Sequence, residues 1–397
     1  MAGPLEGVRV LDLSAVLSGP LAAAMLADQG ADVIKIESPG GDTSRLIGPR
    51  KADVSAMFIA ANRGKRSLVL DLKQPDAQRI VRELAERADV LVENFRPGVM
   101  DRLGLGHETL LAANPRLVYL SITGFGQDGP YAADRAYDAV IQAVSGISAS
   151  HPNPLSGEPQ VLAAAVCDKL TALTASQAIC AALFARERTG KGQWVELSML
   201  DAAVSFQWPD AMYNHVFVDA PPPAVPEFGI SQKPWRTTDG YVVASGPQAS
   251  EFTAICTGFG DPGLAQDPRV SSVSGRFAHA GLIRERLEPL AAAMNTIDCL
   301  ARMRGTGAPA GRVNDRADVV NDPQVLHNGT LAEVTQGTLG RVRLPRSAAR
   351  FTGTPTAPPR AAPHMGEHVA AVLGELGYGA DQVQAWQGAG VVGKSAV

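Results

Sequence analysis

Short apolar runs rich in β-branched residues alternate with stretches whose apolar positions recur every three to four residues, and this alternation fills the first half of the chain. Val8 to Leu13 (VRVLDL) reads as a buried strand. Pro20 opens an Ala-rich helix that runs through Asp28, where Gly30 stops it. Ala31 to Glu37 (ADVIKIE) is the next strand, and Ser67 to Leu72 repeats the pattern. A helix over Pro75 to Arg87, a strand over Asp89 to Glu93, a helical pair and a strand over Leu117 to Thr123 follow. Buried strands separated by helices call for a parallel sheet covered on both faces, an α/β fold. The strongest helical signal spans Lys169 to Arg188. Ala and Leu occupy nearly every turn, Thr189-Gly190-Lys191-Gly192 ends it, and a strand at Trp194 to Met199 comes next.

The pattern then changes. Asp219 to Pro226 (DAPPPAVP) is a Pro-rich linker and a candidate boundary. After it, Trp235 to Ser245 reads as a hairpin turning at Asp239-Gly240. Helices are expected near Glu251 to Gly258, Ala280 to Met294 and Ile297 to Arg304, so this is a smaller α+β domain. Short strands over Leu331 to Phe351, a second Pro/Ala-rich link over Thr354 to Pro363 and two helical stretches complete the pattern.

Length and charge narrow the class. At 397 residues, 45% hydrophobic and 19% charged, the chain has the make-up of a globular protein of more than one domain. A net charge of −4 gives no global attraction to nucleic acid or to an anionic membrane, so an anionic ligand needs a local basic cluster. The apolar stretch from Leu17 to Ala27 ends at Asp28, too short to cross a bilayer. No basic start and apolar core of a signal peptide is seen. Cys167, Cys180, Cys256 and Cys299 form no CxxC and lie near no His at zinc-ligand spacing. They read as free thiols in a reducing, cytoplasmic setting, with no metal site.

Gly124-Phe125-Gly126-Gln127-Asp128-Gly129 fits the dinucleotide fingerprint G-x-G-x-x-G and follows a strand. A pyrophosphate would need a helix N-terminus directly behind it, and Pro130-Tyr131 stands there instead. Asp168 opens the Ala-rich helix. The plain reading is an N-cap; the chemical one is an oriented, ionised carboxylate able to attack a thioester. Arg63, Lys65, Arg66, Lys73, Arg96, Arg102 and Arg135 sit at strand or helix ends. Singly each is a surface charge; together they could hold the phosphates of coenzyme A.

Many stretches, from Gly7 to Val392, resemble the family III CoA-transferases, a group that also includes the α-methylacyl-CoA racemases. They include Gly7 to Leu13, Gly30 to Glu37, Asn62-Arg63-Gly64-Lys65-Arg66-Ser67, Leu70-Asp71-Leu72-Lys73 and Glu93-Asn94-Phe95-Arg96-Pro97-Gly98. Thr123 to Gln127 with Gly129-Pro130-Tyr131, Arg188 to Gln193 and Gly366-Glu367-His368 complete the set. The resemblance absorbs the Gly-rich motif as a strand-end loop.

The resemblance implies a Rossmann-like large domain with a parallel sheet, a smaller α+β domain and two interlaced chains in a homodimer. The division that follows is 1–218 for the first part of the large domain, 219–226 for the linker, 227–328 for the small domain and 329–397 for a return segment. It implies transfer of coenzyme A from an acyl-CoA donor to a carboxylic acid, with Asp168 forming an anhydride and then a thioester. Coenzyme A is then a substrate, and no tightly bound cofactor is expected. Lys73, Asn94, Phe95, Arg102 and Arg135 match positions lining the coenzyme A site, and Tyr137 matches one beside the thioester. Leu17 stands where oxalate-using members carry a glutamine, so oxalate is not the expected acceptor. Racemisation is the alternative. Racemases of the family carry His before Asp where this chain has Tyr137-Asp138, and a tyrosine of ordinary pKa near ~10 is a poor base at neutral pH.

Overall fold

A computed structural model describes residues 3–153, 156–225 and 233–395. Pro226 of the expected linker and residues 227–232 of the expected small domain lie outside the described residues. The chain divides into two compact units, Met1–Phe206 with Gln324–Val397, and Gln207–Pro323.

Six strands form the sheet of the larger unit. Their order is Arg66–Val69, Asp32–Glu37, Arg9–Asp12, Val90–Glu93, Val118–Thr123 and Gln193–Ser198. Every neighbouring pair is parallel. Counted along the chain this is the order 3-2-1-4-5-6, the doubly wound Rossmann arrangement. Successive side chains leave a strand on opposite faces, which explains why these runs are apolar throughout. Leu11, Ile34, Leu91 and Tyr119 pack on one face, under Ile80, Leu84, Val372, Leu373 and Trp386. Val10, Val33, Val92 and Leu120 pack on the other, under Ala22, Leu26, Ala172, Ala175 and Ile179. The 391–393 stretch adds to the sheet edge, with a Leu70–Val392 bridge and the Gly393 N–H donating to Val69 O.

Two helices on the second face matter most for chemistry. Ser18–Asp28 follows the first strand and Val166–Thr189 precedes the last, so both begin at the carboxyl edge of the sheet. Small residues line their contact, Ala22 and Ala23 against Ala172 and Ala175, and this brings the two N-termini together. Both begin earlier than the sequence pattern indicates, at Ser18 rather than Pro20 and at Val166 rather than Lys169.

The smaller unit holds an antiparallel sheet of Trp235–Arg236, Tyr241–Ala244 and Ala310–Arg312. The hairpin turns at Asp239-Gly240 as expected. Helices Ala249–Phe259, Ala280–Ala292 and Thr296–Thr306 pack around it. Among the described residues no helix is long and apolar enough to cross a membrane.

Candidate active site

In a doubly wound sheet the ligand crevice opens where the strand order reverses, outside the carboxyl ends of the first and fourth strands. Here those ends run into Leu13–Leu17 and Asn94–Pro97. Between them lies a cavity of about 280 Å³, lined among others by Val16, Asn94, Arg135, Tyr137 and Asp168. A second cavity, of about 320 Å³, is lined by Lys73, Ser38, Gly41 and Leu72. Ala15 and Phe95 line both.

The loop after the first strand is fixed atom by atom. Ser14 N donates to Asp12 Oδ1 at 3.0 Å, and Ser14 Oγ also bonds that carboxylate. Asn94 closes a two-way bridge with Ala15, accepting its N–H at 2.8 Å and donating to its carbonyl at 2.8 Å. Val16 N donates to Asp42 Oδ1 at 3.1 Å, and Lys35 Nζ donates to Ser14 O at 2.5 Å. Val16 sits at φ 71°, a left-handed conformation that a β-branched residue adopts only where its surroundings impose it.

The imposing surroundings are buried charges. Lys35 pairs with Asp42 at 2.8 Å, and Lys65 reaches Asp12, Pro20 O and Asn62 at 2.7 to 2.8 Å. Burial alone would raise the Asp12 carboxyl, but the charges of Lys35 and Lys65 hold it below its usual range. Burial brings Lys65 down to about 8 against the pull of Asp12, and the like charge of Lys35 adds to the effect.

Asp168 is not an N-cap. It is the third residue of its helix, whose N-cap position is Ala165. The capping acceptor comes from outside: Asp138 Oδ1 takes the Asp168 N–H at 3.0 Å. Asp138 is itself the first residue of the Asp138–Val144 helix, and its Oδ2 accepts from Gln142 Nε2 at 2.6 Å. Gln142 in turn holds Leu162 N at 2.8 Å, tying down the approach to Asp168. The Asp168 carboxyl therefore does not cap its own helix, and it lines the cavity. Burial and then the Asp138 charge push it up to about 6, while hydrogen bonds from the Ser18 hydroxyl and N–H act in the opposite direction. Ser18 is the first residue of its helix, so its N–H has no intrahelical partner and is available to a carboxylate.

Cys167, the neighbouring nucleophile, is buried and turned into the core. Burial, with the charges of Asp138 and Asp168, pushes its thiol up to about 12, so it is protonated and unreactive at neutral pH.

The expected basic cluster divides. Arg63 is committed to Asp28, Arg66 to Asp32 and Glu375, and Lys65 to Asp12, so these three are structural cations and not ligands. Arg96 and Arg135 line the Asp168 cavity and Lys73 the second one. Arg102 ends the Val99–Arg102 helix, exposed, and lines neither cavity. Tyr137 is 68% exposed at the cavity mouth. The segment that carries it lies close against the fifth strand because Gly124 has no side chain. A Cβ there would stand 2.3 Å from that of Ala136.

Ser18, Asp138 and Asp42 hold this site together through contacts that the sequence pattern does not reveal. Asp138 stands out there only as the residue after Tyr137, and its capping contact spans 30 positions, beyond any local motif.

The model of the family described as CoA-transferase family III matches residues 5–369. A succinate–glutarate CoA-transferase from Agrobacterium fabrum is 37% identical, over 94% of this chain and 96% of that one. A formyl-CoA:oxalate CoA-transferase from Escherichia coli O157:H7 is 34% identical, over 97% and 98%. Among solved structures, Rv3272 from Mycobacterium tuberculosis superposes with a TM-score of 0.82 at 32% identity, covering 94% of this chain and 99% of the other.

Proposed function

This chain belongs to CoA-transferase family III, and from that premise we propose that Asp168 is the residue carrying the acyl group and then coenzyme A. The chain is an acyl-CoA:carboxylate CoA-transferase, and its relatives, named for transfer, do not favour the racemase alternative. One observation supports Asp168 above all. It is a half-buried carboxylate at the switch point of the sheet, held by Ser18 beside a cavity open to a thioester.

The cycle balances without water. The Asp168 carboxylate attacks the thioester carbonyl of the donor, forming a mixed anhydride and releasing the CoA thiolate. The thiolate attacks the Asp168 carbonyl, giving an aspartyl thioester and freeing the first acid. The acceptor carboxylate then attacks that thioester, and the released thiolate takes the new acyl group, restoring Asp168. Each intermediate stays as activated as the substrate, so every step runs near balance provided water is kept out. Trapping during turnover tests the assignment. Borohydride or hydroxylamine should modify Asp168 only when acyl-CoA is present, read by peptide mass. A label on another residue refutes it.

Coenzyme A spans the two cavities in this reading, with its thioester at Asp168, its pantetheine past Phe95 and its nucleotide near Lys73. Lys73→Ala and Arg135→Ala should each weaken free coenzyme A by ~1.5–3 kcal/mol if they make charge-assisted bonds to it. Calorimetric titration measures this, and unchanged affinity removes the residue from the site.

The acceptor in this reading is a dicarboxylate longer than oxalate. Support comes from the succinate and glutarate transferase names among the relatives, from Leu17, and from Arg96 and Arg135. Among the described residues those two have no ion-pair partner. A panel of acids read by mass spectrometry should show succinate or glutarate accepted over oxalate. The assembly is an interlaced homodimer, consistent with the exposed apolar residues Val140, Val144, Leu173 and Phe184. Sedimentation at micromolar concentration should give twice the chain mass, and an active monomer contradicts it.

A further inference from the structure

A cavity of about 160 Å³ lies wholly within the smaller unit and includes none of the residues around Asp168. Its floor is the core of that unit, the buried side chains of Trp235, Phe252, Ile255 and Leu287. Ala244, Gly246 and Ala280 stand on its walls, where larger side chains would close it.

Two cations border this apolar space. The Arg276 guanidinium lies 5.0 Å from the Phe252 ring centroid and that of Arg284 lies 4.0 Å from Trp235. Arg276 donates to the carbonyls of Pro247 and Gln248, and Arg284 to those of Lys233 and Pro234. These bonds lock both side chains in place yet use two of the five N–H donors on each. Arg284 makes one long ion pair, to the half-exposed Glu288 at 3.7 Å, and among the described residues Arg276 has no ion pair. Burial pushes both guanidiniums below their usual pKa, against the opposing charges of Glu251 on Arg276 and Glu288 on Arg284. Fixed cations with spare donors beside an aromatic and aliphatic pocket match one ligand chemistry, a carboxylate carrying a single apolar chain.

We propose that this cavity binds a free medium-chain monocarboxylate, its carboxylate on Arg276 and Arg284 and its chain over Trp235 and Phe252. It is a site separate from that for acyl-CoA. Calorimetric titration of the full chain with hexanoate, octanoate, decanoate and decanol tests it. Decanoate should bind saturably, one per chain, with affinity rising roughly fourfold per added CH₂. The double substitution R276Q/R284Q should weaken decanoate at least tenfold and leave decanol unchanged. Ala280→Trp should block both ligands, and both variants should retain the transfer rate, which shows that they fold. Saturating free coenzyme A should leave decanoate bound. Absence of saturable binding to the wild-type chain, displacement by coenzyme A, or a loss below tenfold in the double variant overturns the proposal.

Discussion

Asp168→Asn is expected to lower kcat by at least ~10³-fold and at the same time to stabilise the fold. An amide cannot form the anhydride, so chemistry stops. The shape is kept, because asparagine is nearly isosteric and the helix is capped by Asp138 and not by Asp168 itself. The stability gain follows from the carboxyl's titration. Its folded pKa, about 6, lies above the ordinary 3.8. Below pH 4 both folded and unfolded chains hold the proton and the group costs nothing. From pH 4 to 6 the unfolded chain loses the proton first, and above 6 the folded state carries the full cost of a partly desolvated charge. A rise of that size in pKa corresponds to roughly 2–3 kcal/mol at neutral pH. The variant should therefore melt higher than the wild type at pH 7.5, and the gap should close as the pH falls toward 4. Normal turnover would refute the nucleophile, and a lower melting temperature at pH 7.5 would refute the electrostatic account.

Asp138 should separate positioning from charge. In the wild type, kcat/KM should fall tenfold per pH unit below about 6, because Asp168 must be ionised to attack. Asp138→Asn keeps an oxygen for the Asp168 N–H and removes a like charge, so the acidic limb should move to lower pH. Asp138→Ala removes the acceptor as well. An orphaned N–H at the start of the helix costs about 1–2 kcal/mol of stability, and a loosened Asp168 should cost ~10- to 100-fold in kcat. Paired pH profiles of the two variants measure this. A limb that moves upward in Asp138→Asn contradicts the arrangement.

The sheet was legible because buried parallel strands leave near-continuous apolar runs, and the runs at Val8–Leu13, Ala31–Glu37 and Leu117–Thr123 contain their strands with small errors at the ends. The errors that matter concern polar residues with distant partners. Lys65 and Arg63 read as solvated cations, yet their carboxylates, Asp12 and Asp28, are 53 and 35 positions away. Asp12 has the look of a polar strand edge and is fully buried. The start of the Asp168 helix is hidden for the same reason, since no local Ser, Thr or Asp caps Ala165–Val166. Of the residues marked by the resemblance, Asp168, Tyr137, Asn94, Phe95, Arg135 and Lys73 line one or other cavity, and Arg102 lines neither. Motif likeness and cavity lining coincide there because both fall on loops at strand ends.

The edge of the large sheet bears on how the chain comes off the ribosome. Val372, Leu373, Trp386 and Val392 belong to the same core as Leu11, Ile34 and Leu91. The last sheet strand ends at Ser198, and the helix that supplies the first of those residues starts at Val369. At ordinary rates of synthesis, the intervening stretch takes roughly 10–30 s. Throughout that interval one face of the nascent sheet has its strands and the helix that carries Ile80 and Leu84, but lacks the rest of its cover. The whole smaller unit is translated while this apolar face waits. Completion of the larger unit is therefore a late, non-local event.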